Sequence, residues 1–145
     1  MDMKADDNPA DILLRFTAAV DRRDHEAAAS CFAENGSFRP GDTLIEGVPQ
    51  IEAFYERRLA DPRRRTSHIW ANVLIDRVDE GHVAISATLS NYALEPQISE
   101  TEVQLRIGRV TCELVRDAQG TWLFAEQSYE KTFALVLPLS AAGPR

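Results

Sequence analysis

TSHIWANVLIDRV, residues 66–78, has the two-residue periodicity of a β-strand and opens the half of the chain that decides the fold. Three further strand candidates follow it, at residues 82–94, 102–116 and 121–133. Asp79-Glu80-Gly81 and Asp117-Ala-Gln-Gly120 are short loops with glycine, whereas a looser connection begins at Glu95-Pro96. Because such short loops join antiparallel neighbours, the pattern predicts a mainly antiparallel sheet of four long strands.

The part of the chain before this sheet predicts three helices. Asn8-Pro9 begins the first, since asparagine is a favoured N-cap and proline suits the first helical position. Asp24 caps a second, short helix, which Asn35-Gly36 ends through positive φ. Gly47-Val-Pro49 begins the third, which stops before Asp61-Pro62 because proline disfavours helical geometry in the preceding residue. Two short strands are expected between the second and third helices, at Ser37–Pro40 and Thr43–Glu46.

Composition indicates one globular domain over residues 1–145. The chain is 44% hydrophobic and 27% charged, which separates it from disordered and fibrous proteins. Its formal net charge of −7 argues against nucleic acid as a partner, because recognition of a phosphate backbone needs basic surface. No secretory signal begins the chain, and no stretch approaches the roughly 20 apolar residues of a membrane span. We therefore expect a cytoplasmic protein without membrane association.

Neither a cofactor nor a metal is predicted. Cys31 and Cys112 lack CxxC spacing and are expected to be small core residues. His25, His68 and His82 do not have metal-ligand spacing, and the chain contains no GxGxxG, P-loop or nucleophile elbow.

The order of elements predicts an α+β fold with a pocket. A sheet of long strands that only three helices cover must curl, and helices packed on its concave face leave an opening at one end. That opening is suited to a small, largely apolar molecule.

Six segments carry a resemblance to a known family. They are Ala18–Asp24, Cys31–Phe38, Glu46–Ile51, Arg65–Val73, Glu113–Asp117 and Thr121–Phe124. Together they resemble the SnoaL-like branch of the NTF2-like superfamily, from about residue 10 to residue 133. The resemblance implies a cone of three helices packed on a curved sheet. Similar proteins include polyketide cyclases, scytalone dehydratase, ketosteroid isomerase, limonene-epoxide hydrolase, dioxygenase small subunits and non-catalytic binding modules, so the function stays open.

Alternation divides the first long strand into an apolar face and a mixed face. The apolar face carries Ile69, Ala71, Val73 and Ile75, and the mixed face carries His68, Trp70, Asn72 and Leu74. An imidazole, an indole and an amide together suit a ligand pocket better than a close-packed core. The other interpretation of His68 is a core histidine bonded to a backbone carbonyl.

Asp21 lies at the margin of the first helix's buried stripe. It follows Leu14 and Thr17 by seven and four residues, near the helix C-terminus, where the macrodipole disfavours a negative charge. Both circumstances would raise the pKa of Asp21, and a nearby cation would oppose them. From the residues alone, a site role and a simple helix-end role are equally open.

The resemblance pairs Asp21 with His68. Scytalone dehydratase and similar enzymes place an aspartate at the end of the first helix against a histidine on the first long strand, and these two residues match. A carboxylate that holds one ring nitrogen fixes the tautomer, and the other nitrogen can then move a proton. Val20 and Pro40 stand where the dehydratase has tyrosines, so dehydration of scytalone itself is not predicted.

Several further side chains are candidates for contact with a substrate. Trp70, Tyr55 and Phe54 would supply apolar walls, although Tyr55 also fits a core position. Asn72 would orient a substrate oxygen, and Asn91 or Tyr92 would lie near the mouth. Arg109 shares a face with Thr111 and Glu113, which suits a binding site, a solvated face or a cross-strand ion pair equally. Arg63–Arg65 is a solvated loop or a guide for an anionic substrate.

The predicted function is a cofactor-independent acid-base enzyme, a lyase or dehydratase, isomerase or cyclase, with Asp21 and His68 as the catalytic pair. Its substrate would be small and hydrophobic, with aromatic or polyketide-like compounds most in keeping with the resemblance. One alternative is a non-catalytic ligand-binding module or the small subunit of a ring-hydroxylating dioxygenase. Another is an epoxide hydrolase, which needs an arginine beside the aspartate, and Arg109 is the candidate for it.

Phe133-Ala-Leu-Val-Leu-Pro-Leu139 is expected to be ordered. Six of its residues are apolar, and their exposure would be costly unless they pack on a partner subunit or over the pocket.

The protein should form a homodimer. The apolar face of the first long strand, from Ile69 to Ile75, is a patch too apolar to remain in water, and similar cone folds often pair through such sheets. Sedimentation at micromolar concentration measures the state directly. A strict monomer would contradict this assignment of the outward face.

Overall fold

The computed structural model describes residues 8–140 and confirms the α+β cone. Its helices are α1 (Asp11–Asp21), α2 (His25–Ala29) and α3 (Val48–Arg58). Its strands are β1 (Phe32–Arg39), β2 (Ile45–Glu46), β3 (Arg65–Asp79), β4 (His82–Leu94), β5 (Glu102–Arg116) and β6 (Trp122–Pro138). The strands form one curved sheet in the order β2-β1-β6-β5-β4-β3, and β1 and β6 are the parallel pair. None of the helices within residues 8–140 is long and apolar enough to cross a membrane.

The starts of α2 and α3 follow the predicted local chemistry, but the prediction that Asn8 caps α1 is wrong, because α1 begins at Asp11 with Ala10 as an N-cap that makes no side-chain hydrogen bond. The side chain of Asn8 accepts a hydrogen bond from the backbone N–H of Ala10 at 3.0 Å, just before α1 begins. Asp24 caps α2 by accepting from the N–H of Ala27 at 3.0 Å. Gly47 has φ +87°, a conformation that glycine adopts without strain, and proline follows in the first turn of α3.

The prediction that Asn35-Gly36 ends α2 is wrong. The helix ends at Ala29, and both residues lie inside β1 with negative φ. Gly36 is needed there for another reason, because a Cβ atom would lie 2.8 Å from the carbonyl oxygen of Phe124. The glycine therefore permits β1 to approach β6 closely.

The C-terminal run is ordered as predicted as far as Pro138. Strand β6 continues past Phe133 because its residues pair with β5, up to Pro138 opposite Glu102. Its other edge has no strand partner within residues 8–140 after Ser128, the last residue that pairs with β1. The apolar side chains of this extension remain exposed, at 61% for Phe133. Backbone pairing, rather than burial of these side chains, holds the extension in place.

A bulge divides β3 and corrects the predicted faces. The pairing with β4 shifts between Ala71 and Leu74, and Asn72 adopts φ +53°, which asparagine tolerates better than most residues. Beyond the bulge Leu74 lies opposite Ser86, so the alternation is reset. Asn72 and Leu74 are exposed and do not continue the mixed face of His68 and Trp70. Ile75 pairs with buried Ile85 and so lies on the inner side, which means that the predicted apolar outer face does not extend from Ile69 to Ile75.

An aromatic cluster fills the core between the helices and the inner face of the sheet. The Phe16 ring lies 5.5–6.1 Å, centroid to centroid, from four other rings, those of Phe32, Phe38, Tyr55 and Phe124. The four contacts are edge-to-face, the geometry that aromatic pairs favour. Cys31 and Cys112 are buried free thiols, as predicted. Phe16, in the middle turn of α1, thus packs the helix onto the core.

Replacement of Phe16 by alanine should lower the free energy of unfolding by about 3–5 kcal/mol, because it removes a buried aromatic side chain that the surrounding rings cannot replace. Leu14→Ala is the matched control, since Leu14 lies on the same helix and is 60% exposed. Its effect should stay within about 0.5 kcal/mol in the same urea titration. Equal losses in the two variants would contradict this account of the core.

Candidate active site

Asp21 and His68 are in direct contact where the end of α1 meets β3. Nδ1 of His68 lies 2.5 Å from Oδ1 of Asp21, and the backbone N–H of His68 donates to Oδ2 at 3.1 Å. The hydroxyl of Thr66 donates to Oδ1 at 2.8 Å. Side-chain exposure is 10% for His68 and 28% for Asp21. The predicted proximity of the two side chains is therefore found, and their catalytic role stays a proposal.

The hydrogen bonds decide the charge of Asp21. Burial raises the pKa of this carboxyl, but hydrogen bonds from His68 and Thr66 outweigh it and hold the pKa below its ordinary value. The raised pKa that the helix position suggested is thus not found, because the strand supplies three donors. An ionised Asp21 accepts only, so Nδ1 of His68 carries the proton and Nε2 is the nitrogen left for a ligand.

His68 lines a cavity of about 330 Å³ between the helices and the sheet. The helix side and β1 are mainly apolar and contribute Phe16, Val20, Phe38, Phe54 and Tyr55. The sheet side is mainly polar and contributes His68, Asn91, Gln127 and Tyr129, together with Leu89. A volume at the lower end of the roughly 300–1,000 Å³ typical of small-molecule sites fits one small, mostly apolar compound.

Phe54 and Tyr55 line this cavity, in agreement with the sequence analysis. Tyr55 belongs to the core as well, since it is 6% exposed and packs on Phe16 and Phe38. Burial raises the pKa of its hydroxyl, so Tyr55 remains protonated.

Trp70 does not line the cavity, contrary to the prediction. Its side chain points inward but lies under α1, where Nε1 donates to the carbonyl oxygen of Leu13 at 3.1 Å and to the hydroxyl of Thr17 at 2.9 Å. These bonds attach β3 to α1 one turn and two turns before Asp21. Trp70 therefore supports the contact of Asp21 with His68 instead of touching a ligand.

Asn72, Tyr92 and Arg109 also lie outside the cavity. Asn72 forms the exposed bulge of β3. Tyr92 follows Asn91, which lines the cavity, so alternation directs it to the outer face. Arg109 is exposed and precedes Val110, which is 1% exposed and faces the core, so it too belongs to the outer face.

The polar side of the cavity contains two residues that the sequence analysis missed, Gln127 and Tyr129. Trp122 and Phe124 are buried, and strict alternation from them would direct Glu126 inward. The pairing of β6 with β5 instead shifts after Phe124, so that Gln127 faces the core and Glu126 is exposed. Only the shift in register identifies Gln127, and no local sequence signal marks it.

One carboxylate and three guanidinium groups stand beside the cavity. Oε1 of Glu95 accepts from Arg106 at 2.9 Å and Arg64 at 3.3 Å, and it lies 3.8 Å from Arg58. Burial raises the pKa of Glu95, but the arginines, Arg106 first, hold it below its ordinary value. Arg64 is 7% exposed, so it is not part of a solvated loop. Arg58 and Arg64 also line the cavity, as does Asp42, so charged groups of both signs lie along it.

The polar residues of β5 lie on the outer face of the sheet. Glu113 pairs with His82 across the strands, which is the ion-pair alternative raised for that face.

Within residues 8–140, no three His, Cys, Asp or Glu side chains are grouped so that they could hold a metal ion.

Comparison with known proteins places the chain in a family. The model of the SnoaL-like domain matches residues 4–127. A candidate scytalone dehydratase from Novosphingobium aromaticivorans is 19% identical, with a TM-score of 0.78 over 92% of this chain and 88% of its own. A hexachlorocyclohexane dehydrochlorinase, LinA type 2, is 16% identical, with a TM-score of 0.75 over 93% and 91%. The protein Aln2 from a Streptomyces species is 20% identical, with a TM-score of 0.70 over 84% and 86%.

No curated protein matches the chain by sequence. Identities this low show a shared fold and not a shared reaction. The family match, in contrast, spans most of the chain, including both members of the Asp21–His68 pair. The chain therefore belongs to the SnoaL-like domain family of NTF2-like cone folds.

Proposed function

We propose that the protein is a cofactor-independent enzyme that moves a proton on a small, mostly apolar substrate and thereby eliminates, isomerises or cyclises it. The observation that carries the proposal is the Asp21–His68 pair, which presents one imidazole nitrogen to a cavity with largely apolar helix-side walls. A partly buried base of this kind acts on a bound molecule from which water is mostly excluded.

In this proposal each member of the pair has one role. Asp21 holds Nδ1–H of His68 and stabilises the imidazolium that forms when Nε2 takes a proton from a substrate carbon. The electron pair of the broken C–H bond then expels a leaving group, moves along a conjugated system or attacks a second carbon. His68 returns the proton to the leaving group, to another carbon or to an oxygen. The same first step therefore serves a lyase, an isomerase and a cyclase.

Two structural neighbours are named for eliminations, a candidate scytalone dehydratase and a dehydrochlorinase, which supports the lyase form of the proposal. Val20 and Pro40 line the cavity where scytalone dehydratase has tyrosines. Activation of a leaving group through those positions is therefore not part of the proposal. Aromatic or polyketide-like compounds remain the proposed substrates, because rings suit a wall built from Phe16, Phe38 and Phe54.

The epoxide hydrolase alternative lacks the arginine that it needs beside the aspartate. An epoxide hydrolase of this type requires an arginine beside the aspartate, but Asp21 accepts hydrogen bonds from His68 and Thr66. Arg109, the candidate, lies on the outer face of the sheet. A non-catalytic binding module would use the same cavity without proton transfer, and the next experiment separates it from an enzyme.

His68→Ala and Asp21→Asn should each lower kcat/KM by roughly 10²–10⁴, the range typical of general acid-base groups. The double variant should lose less than the product of the two factors, because the residues act as one unit. Steady-state kinetics on the first compound turned over from an aromatic and polyketide-like panel provides the measurement.

His82→Ala is the matched control, since His82 forms a similar ion pair with Glu113 on the outer face. Its kinetics should equal those of the wild type. Full activity in both Asp21→Asn and His68→Ala would contradict the proposal, whereas ligand affinity without turnover in any variant would indicate a binding module.

Asp21→Asn should also destabilise the protein near neutral pH, and the loss should shrink in acid. The pKa of Asp21 lies below its ordinary value of 3.8 in the folded state, so the ionised group contributes stability above 3.8. That contribution disappears as the pH falls through the folded pKa. Urea titrations from about pH 6 to about pH 3, with Asp76→Asn at an exposed site of β3 as control, measure it. A pH-independent difference would contradict a charge-assisted bond.

A further inference from the structure

A second cavity adjoins the one that His68 lines. It has a volume of about 400 Å³ and lies between the C-terminal end of α3 and the loop after β4, which contributes residues 95–98. Three residues line both cavities and form their shared wall: Phe54, Arg58 and Arg64. A substrate group that reaches beyond the apolar cavity therefore meets two guanidinium groups.

Positive charge exceeds negative charge at the shared wall. One carboxylate oxygen, Oε1 of Glu95, is the ion-pair partner of three guanidinium groups, those of Arg58, Arg64 and Arg106. Within residues 8–140, none of these three groups lies at ion-pair distance from another carboxylate. One negative charge thus faces three positive ones.

The other carboxylates that line the two cavities do not supply the missing charge. Asp61 lines the second cavity, but both of its oxygens accept from Arg63, each at 3.2 Å. Asp42 lines the cavity of His68 and is exposed, so water screens its charge. Neither carboxylate compensates the guanidinium groups of the shared wall.

Arg64 is the member of the basic run Arg63–Arg65 that lines both cavities. It is 7% exposed, and within residues 8–140 its guanidinium makes one hydrogen bond, to Glu95 at 3.3 Å. A guanidinium has five N–H donors, so most of them are left for a ligand. Burial, together with repulsion from Arg58, lowers the pKa of Arg64. A second anion beside Arg64 would offset this cost of a buried cation.

We propose that the substrate is an aromatic or polyketide-like acid, whose carboxylate binds Arg58 and Arg64 at the shared wall while its apolar part lies beside His68. This inference rests on the proposed acid-base function, because it adds a charged group to the substrate of that same site. A carboxylate suits the wall, since its two oxygens accept parallel N–H bonds from one guanidinium. Binding the acid at one end also fixes which carbon of the apolar part lies next to Nε2 of His68.

Binding of three phenyl-substituted acids tests the inference. Phenylacetate, 3-phenylpropionate and 4-phenylbutyrate hold one ring at three distances from a carboxylate, and the primary amide of each has nearly the same shape without the charge. The wild type should bind the best acid at least about tenfold more tightly than its amide, because hydrogen bonds to charged groups are the stronger ones. It should bind acetate, which has the charge without the ring, at least about tenfold more weakly than that acid. Calorimetry gives the affinities.

Arg58→Gln and Arg64→Gln should each weaken binding of the best acid by about tenfold or more and leave binding of its amide unchanged. Arg15→Gln is the matched control, since it removes the same charge at an exposed position of α1 that lines neither cavity. It should bind both compounds like the wild type. Circular dichroism verifies folding, and Arg58→Gln keeps the buried pair of Arg64 with Glu95 intact.

Three results would overturn the inference. The first is equal affinity of the wild type for acid and amide throughout the series, or no binding of any acid. The second is binding of the best acid that neither Arg58→Gln nor Arg64→Gln weakens. The third is acetate binding as tight as that of the best acid, because the wall would then hold a free anion instead of the charged end of a substrate.

This readout does not depend on turnover. If Arg58 and Arg64 govern acid affinity while His68→Ala keeps full activity, the carboxylate site stands and His68 is not the base. If His68→Ala abolishes turnover while acid binding ignores Arg58 and Arg64, the acid-base function stands and the carboxylate site is wrong.

Discussion

The hydrogen bond between Asp21 and His68 is the constraint on which both the geometry and the chemistry of the protein depend. It joins the C-terminal end of α1 to β3, where the helix dipole would otherwise disfavour a carboxylate. Thr66 and the backbone of His68 add two further donors to the same carboxylate. Trp70 attaches the strand to the preceding turn of the helix through the hydroxyl of Thr17. The contact that joins α1 to β3 therefore also orients the imidazole of His68.

The cavity forms where the inner face of the sheet changes from apolar to polar side chains. Near Trp122 and Phe124 the inner face of β6 is close-packed aromatic core, and after the register shift it carries Gln127 and Tyr129. The buried aromatic side chains stabilise the fold, while Gln127 and Tyr129, farther along β6, line the cavity together with Phe54 and Tyr55 of α3. Arg64, which also lines the cavity, forms a largely buried ion pair with Glu95. Packing and recognition thus occupy successive segments of the same strands.

Much of the fold could be predicted because its signals are local. The caps at Asp24 and Gly47 follow from side-chain and φ preferences, and strands β4 and β5 have the predicted ends. Asp21 and His68 could be paired through the family resemblance and their positions at the helix margin and on the mixed face. Asn72 and Gln127 could not be placed, because each depends on a bulge. One extra residue in a strand moves every later side chain to the opposite face of the sheet. The pairing with the neighbouring strand, and not the strand's own sequence, decides where that residue is inserted.

The central claim is that Asp21 holds the proton of His68 on Nδ1 and leaves Nε2 free to act as a base in the cavity. Long-range proton–nitrogen NMR correlation of the His68 ring, at a pH where the ring is neutral, tests it most directly. The account predicts a single tautomer with the proton on Nδ1 in the wild type, and a mixture of tautomers in Asp21→Asn. A proton on Nε2 in the wild type, or the same spectrum in both proteins, would contradict it.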